Sequence, residues 1–357
     1  MLGCKSHGFE TNKYSLKVTK DTFDLEMSMN RNVERMKGTF DKIKSDTAYQ
    51  SLYSKEKEIQ FEFKSDIDSL KFSLPYNKEI IVNLEKDGMK PLVLIIRNGI
   101  DTKSLQFDTV NEDKNIVMKY ENDIHNPYLI ELRKKYPIDS IASTADTDLG
   151  RVRKIASWVH NLWEHDGYSE PEKYDAMYIL DEVKKGRRFR CVEYGLVTTT
   201  CLNSIGVRSR VLALKTEDVE TRYSGAGHVV LEVFINDLDK WIMIDPQWDA
   251  IPHLANVPLN AVEFQAAVTN GENVEIWTSA NSTAEEYIPW IYPYLYYFSV
   301  SFDNRENVGK ERIMCQDKRD LMLVPEGAKN PTIFQQRFPL DYCFYTHCSK
   351  DFYKKPD

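Results

Sequence analysis

Short runs in the first third of the chain alternate apolar and polar residues, as in Ile59-Gln60-Phe61-Glu62-Phe63 and Leu105-Gln106-Phe107. Turn formers such as Asp87-Gly88 and Asn98-Gly99 break them. A period of two bounded by turns predicts a small antiparallel β unit over residues 55–121. Ahead of it, Val33, Met36, Phe40 and Ile43 share one face if Asn32 to Ser45 is helical, and a helix is predicted there.

From Asp146 the period lengthens. Val152, Ile155, Val159 and Leu162 recur at helical spacing behind a capping Asp146 or Thr147, and Gly167 closes the pattern. A second helix is predicted from about Tyr174 to Lys185, with Ala176, Ile179, Leu180 and Val183 apolar and Gly186 just beyond. A third opens at Cys191 and runs to Ser204, carrying Val192, Gly195, Leu196, Thr199 and Leu202 inward before Gly206. Three strands are expected next, Val207–Lys215, His228–Ile235 and Lys240–Asp245.

The last two strands flank Asn236-Asp237-Leu238-Asp239, whose composition suits a hairpin loop. A hairpin closing between Asn236 and Asp237 would set His228 directly opposite Asp245 on one side of the sheet. Beyond Pro252 the pattern predicts a helix near Val262–Val268 and strands at Glu275–Thr278, Tyr292–Ser301 and Asp320–Val324. Along the middle strand Trp290, Tyr292, Tyr294, Tyr296 and Phe298 would lie on one side, as core or as a platform for a sugar or peptide.

A chain of 357 residues exceeds one ordinary hydrophobic core. The reading is α+β: an N-terminal β-rich unit with a short helix (1–125), a core of helices on an antiparallel sheet (126–252), and a β-rich extension (253–357). Lys and Arg number 47 against 55 Asp and Glu, a net charge of −8, and no stretch concentrates basic residues. That argues against nucleic acid as a partner. The longest apolar runs fall well short of the roughly 20 residues a membrane helix needs, so no transmembrane span is expected.

Met1-Leu2-Gly3-Cys4 resembles the end of a bacterial lipoprotein leader, which would put the chain outside the cytoplasm, lipid-anchored through Cys4. An ordinary start would leave it cytoplasmic. Cys343 and Cys348 are close enough in sequence to pair, but their spacing matches no disulfide framework or zinc signature.

The candidate chemistry centres on Cys191. A cysteine in the first turn of a helix gains thiolate character from the positive dipole end, and Arg187, Arg188 or Arg190 pointing at the sulfur would add to it. His228 would take the thiol proton, and Asp245 would fix the imidazole tautomer and support its charged form. Trp248, three residues on, would roof that contact or fill the core behind it. Trp158, Trp163, His160 and His165 cluster in sequence, but the two histidines fall on different helix faces, so no zinc pair is expected.

The motifs Arg190-Cys191-Val192-Glu193-Tyr194-Gly195, Ile205-Gly206-Val207-Arg208-Ser209-Arg210, Gly227-His228-Val229-Val230-Leu231-Glu232-Val233 and Trp241-Ile242-Met243-Ile244-Asp245-Pro246 resemble, in order, those of the transglutaminase-like family. The resemblance covers about Asp146 to Asp249. It implies a papain-like core with Cys191 as nucleophile, His228 as general base and acid, and Asp245 orienting His228, with no cofactor and no metal. Members include glutamine crosslinkers, peptidases, glycan-releasing amidases and inactive relatives. Arg190, Val192 and Val229 depart from the tryptophan, glycine and aromatic that many members carry there, which leaves substrate preference open. No glutamine shortly before Cys191 supplies an oxyanion donor.

The expected activity is that of a cysteine peptidase, an amidase or a protein-glutamine acyltransferase. It would cleave or transfer an amide acyl group of a protein or peptide through a Cys191 thioester. The alternative is a non-catalytic scaffold of the same fold at the cell envelope, binding cell-wall peptide or glycopeptide.

Overall fold

A computed structural model describes residues 11–20, 22–29, 32–39, 47–52, 58–75, 78–98, 102–280, 282–306 and 308–356. The Gly3-Cys4 start lies outside them. Alternating runs become eight strands: β1 (Thr11–Lys17), β2 (Thr22–Met29), β3 (Asn32–Thr39), β4 (Thr47–Leu52), β5 (Glu58–Lys64), β6 (Ser69–Pro75), β7 (Lys78–Glu85) and β8 (Leu92–Asn98). They form two four-stranded sheets, β3-β2-β5-β6 and β1-β7-β8-β4. Inward residues of β5 to β8, among them Phe61, Phe63, Leu74, Val82 and Leu94, join one cluster.

Three expectations for this region fail. The strands begin at residue 11, well before residue 55, and β1–β7 and β4–β8 pair in parallel. Leu105-Gln106-Phe107 is not a strand. Asn32–Thr39 is β3 where a helix is predicted, and residues 40–46 lie outside the described part. The helical spacing of Val33 and Met36 is overridden by a ladder to β2 running from Thr22↔Thr39 to Met29↔Asn32. A short helix is marginal alone, whereas the strand gains a partner along its whole length.

After the short β9 (Lys119–Tyr120) come α1 (Pro127–Lys135), α2 (Ile138–Ala142), α3 (Asp148–His160), α4 (Ala176–Lys184) and α5 (Cys191–Ser204). Thr147 caps α3 by accepting from Gly150 N–H at 3.1 Å, and Asp175 caps α4 by accepting from Tyr178 N–H at 2.8 Å. Gly206, at φ +78°, closes α5, with Val207 N–H donating to Leu202 O and Gly206 N–H to Asn203 O at 3.0 Å each.

The remaining strands are β10 (Ser209–Lys215), β11 (Gly227–Ile235), β12 (Lys240–Ile244), β13 (Ile251–Leu254), β14 (Val257–Pro258), β15 (Glu275–Trp277), β16 (Tyr297–Ser301), β17 (Asp303–Asn304), β18 (Asp320–Leu323), β19 (Ile333–Phe334), β20 (Phe338–Pro339) and β21 (Cys343–Thr346). Between them lie α6 (Ala261–Thr269) and α7 (Ala284–Ile291), and α8 (Ser349–Phe352) follows. Six strands form the central sheet in the order β12-β11-β10-β16-β18-β21. Its pairs are antiparallel except β18–β21. Strands from beyond residue 252 thus supply half of this sheet, so it continues across the boundary expected at 252.

Strand β11 is buried on both faces. Leu231, Val233 and Ile235 pack with the helical layer, while Val230 and Phe234 enter the opposite cluster. A fully buried side chain of this kind contributes about 1.5–3 kcal/mol of transfer free energy, so the strand anchors both layers. Helix α5 lies flush on it because Gly195 has no Cβ; one built there would sit 3.0 Å from Val229 Cγ1 and 3.4 Å from Val230 O. Within the opposite cluster Glu232 accepts from Arg210 at 2.7 Å, both side chains being 0% exposed.

Candidate functional site

Helix α5 brings Cys191 to the sheet edge where the β11–β12 ladder runs out. Arg190 is its N-cap residue, and Arg190 N–H donates to Glu193 Oε2 at 3.0 Å, closing the first turn. The ladder spans only Leu231↔Ile244 to Ile235↔Lys240. That register differs by two residues from a hairpin closing between Asn236 and Asp237, because Asn236–Leu238 forms a 3₁₀ turn and Asp239 takes φ +50° before β12 begins. His228 and Asp245 are therefore diagonal neighbours instead of directly opposed ones. Diagonal residues share a side of the sheet, and their side chains bridge the offset, His228 Nε2 lying 2.8 Å from Asp245 Oδ2.

Asp245 is fully buried and its acceptors are occupied. Oδ2 also receives the Tyr287 hydroxyl at 3.1 Å, and Oδ1 accepts Gln247 N–H at 3.0 Å and Trp248 N–H at 3.3 Å. Burial first, and Asp245 second, push the Tyr287 phenol well above its usual range, so it stays a donor. The turn carrying Asp245 is held from outside by His160, the last residue of α3, whose Nδ1–H reaches Pro246 O at 3.2 Å and Gln247 O at 3.1 Å.

With Nε2 engaged, Nδ1 of His228 is the nitrogen left for the thiol. Burial disfavours the charged ring, but Asp245 and then Cys191 outweigh it and hold His228 up at about 10. Cys191 is partly exposed. Burial raises its thiol, yet hydrogen bonds from His165 and His228, the charge of His228 and the Val229 N–H together bring it down to about 6. Near neutral pH these directions favour a thiolate beside an imidazolium.

The arginines do not contribute as expected. Arg187 pairs with Glu182 and Arg188 with Glu164, while Arg190 binds Glu193 at 2.9 Å and also Glu170. Carboxylates on the neighbouring α4 and loops claim each guanidinium, and histidines flank the sulfur instead.

An aromatic wall completes the site. Trp290 meets His228 edge-on at 4.8 Å, Tyr294 lies 5.8 Å from the same ring, and Trp248 packs 5.0 Å from Trp290. Trp290 and Tyr294 do not lie along the one aromatic strand expected there, whether as core or as a platform. Trp290 belongs to α7 and Tyr292–Tyr294 to a 3₁₀ turn, so only Tyr297–Ser301 is strand. The Thr283 cap, accepting from Glu286 N–H at 3.3 Å, starts a helix that takes in Trp290 and Ile291 at the head of that aromatic run.

Sequence reasoning thus gathers Cys191, His228 and Asp245 but misses His165, Tyr287 and the Val229 N–H. Nothing in local spacing singles these out. Among the described residues no cluster of three or more His, Cys, Asp or Glu side chains could hold a metal ion, and no helix is long and apolar enough to cross a membrane. Cys343 and Cys348 are buried free thiols.

A cysteine at a helix tip, facing a carboxylate-bound histidine on a sheet edge, has the form of a thiol site on an α+β scaffold. Residues 138–246 match the model of the transglutaminase-like superfamily core. No curated protein matches the chain. Similar solved structures include a candidate cysteine protease from Cytophaga hutchinsonii, at 12% identity over 73% of this chain and 87% of that one, TM-score 0.28. A candidate protease from Parabacteroides distasonis shares 14% over 46% and 39%, TM-score 0.23. Red sea bream transglutaminase shares 12% over 82% and 60%, TM-score 0.27.

Proposed function

We propose that the chain is a cysteine acyl-transfer enzyme, a peptidase, amidase or protein-glutamine acyltransferase, using Cys191, His228 and Asp245. The observation that carries this is the run of contacts from the sulfur through the His228 ring to the buried Asp245 carboxylate, at 2.8 Å for its last link. Cys191 attacks an amide carbonyl of a protein or peptide, and the carbonyl electrons move to oxygen. Collapse breaks the C–N bond as His228 gives its proton to the departing amine. Water or a second amine then attacks the thioester as His228 takes its proton, and collapse breaks the C–S bond, releasing the acyl product and restoring the Cys191 thiolate beside the imidazolium.

A peptide carrying an electrophilic glutamine or amide isostere is expected to label the wild type and leave Cys191→Ala unlabelled. Equal labelling of both, or none across broad peptide panels, would move the chain to the scaffold reading.

Alkylation supplies a pH test. The thiolate nucleophile appears as pH rises through about 6, and the imidazolium beside it is lost as pH rises through about 10. Iodoacetamide reactivity at Cys191 is therefore expected to climb near pH 6, and acylation by an amide substrate to hold from there toward pH 10. A climb only near pH 9 would mean that the histidines do not depress the thiol.

A further inference from the structure

Two histidines act on the sulfur, and the acyl-transfer steps draw on His228 alone. We propose that His165 is a second catalytic residue, the side-chain N–H donor that follows negative charge from the Cys191 sulfur to the carbonyl oxygen of the tetrahedral intermediate. This rests on the reading of Cys191 as nucleophile.

The placement of His165 comes from tethers on both sides of it. Asp166 N–H donates to Phe189 O at 2.9 Å, fastening the segment to the chain two residues before the cysteine. On the other side the Tyr194 hydroxyl donates to Trp163 O, and the Trp163 and Tyr194 rings stack at 4.2 Å and 28°. Tyr194 is itself in the first turn of α5, so the helix tip and the segment 163–166 hold each other. From this position the His165 side chain acts on the sulfur, as one of the groups that lower the Cys191 thiol.

The two rings differ in setting. His228 is 3% exposed and bound to Asp245, which suits proton transfer. His165 is exposed, on the solvent side from which a substrate must come. Other charges at this mouth are occupied: Glu164 pairs with Arg188 at 3.1 Å, and Asp166 Oδ1 accepts Tyr168 N–H at 3.1 Å.

As the C–S bond forms, the carbonyl π pair becomes the oxyanion, and charge leaves the sulfur for an atom one carbon away. His165 N–H turns to that oxygen and keeps its proton throughout. The Cys191 backbone N–H, one of the orphan donors of a helix first turn, is the second donor. When the C–N bond breaks, the proton on the amine comes from His228. This supplies the side-chain donor that no glutamine before Cys191 provides.

The test separates charge on sulfur from charge on oxygen in the full-length chain. Burst acylation by p-nitrophenyl acetate requires an oxyanion; alkylation by iodoacetamide at pH 9 requires only the thiolate. For His165→Ala the acylation rate is expected to fall about 10²- to 10³-fold, and for His165→Gln, which keeps an N–H donor, about 10-fold or less. Alkylation at pH 9 is expected to stay within about 2-fold of wild type for both, which also reports an intact site. An alanine variant acylating at the wild-type rate overturns the role of His165 and leaves the Cys191 reading standing. Equal losses of alkylation and acylation would confine His165 to the sulfur and overturn the oxyanion role. A wild type that alkylates but never acylates removes the Cys191 reading itself, and this inference with it.

Discussion

Replacing His228 with alanine is expected to reduce acylation of Cys191 by at least about 10³-fold while the protein stays folded. In the proposed mechanism the ring is both base and acid, and it is one of the groups that lower the thiol, so its loss removes all three at once. The alkylation midpoint of Cys191 should therefore move up from about 6 in the same variant. Asp245→Asn should cost less, because an amide oxygen can still accept from Nε2 and keep the ring in place, though it no longer supports the charged form. Near-ultraviolet circular dichroism checks the fold, and mass spectrometry of the acyl-enzyme reads the rate. Undiminished acylation in His228→Ala would remove the proposed base.

The second large effect is on stability. Glu232 lies at 0% exposure, where Oε2 accepts Arg210 Nε at 3.2 Å and Nη2 at 2.7 Å, and Oε1 accepts the Tyr353 hydroxyl at 3.0 Å. Arg210 also donates to Phe352 O at 2.8 Å and lies 4.3 Å from the centre of the Trp241 ring. The pair thus joins β10, β11 and β12 to the C-terminal residues. Glu232→Ala leaves a guanidinium buried without its carboxylate and should lower unfolding free energy by about 3–5 kcal/mol, read from urea melts. Arg210→Met with Glu232→Leu removes both charges and should recover most of that loss. A single variant as stable as wild type would mean that the arginine escapes to solvent.

Much of the core was legible because its signals are short-range. Capping residues, the helical period and terminal glycines act within a turn, so α4, α5 and α6 lie within a few residues of their predicted places, while α3 starts at its Thr147 cap but stops at His160, short of the Gly167 expected to close it. Trp290 and Tyr294 show the opposite case. An alternating aromatic run fits a strand as well as an isolated stretch can, yet Thr283 starts a helix upstream and Trp290 turns onto His228. For Asn32–Thr39 the choice between helix and strand was made by β2 as a partner, which the local period of Val33 and Met36 does not describe.

By itself the sequence determined that a cysteine opens a helix, that a histidine at the start of one strand and an aspartate at the end of the next share a hairpin, and that the ordered motifs from about Asp146 to Asp249 resemble those of the transglutaminase-like family. Tertiary structure alone decided the register that makes His228 and Asp245 diagonal, and the return of Tyr287, 42 residues on, to the same carboxylate. It also turned His165, and none of the three arginines, toward the sulfur. The reason is range: turn chemistry and periodicity fix neighbours along the chain, whereas which side chains share a site depends on how distant segments pack and on which carboxylates have already claimed each cation.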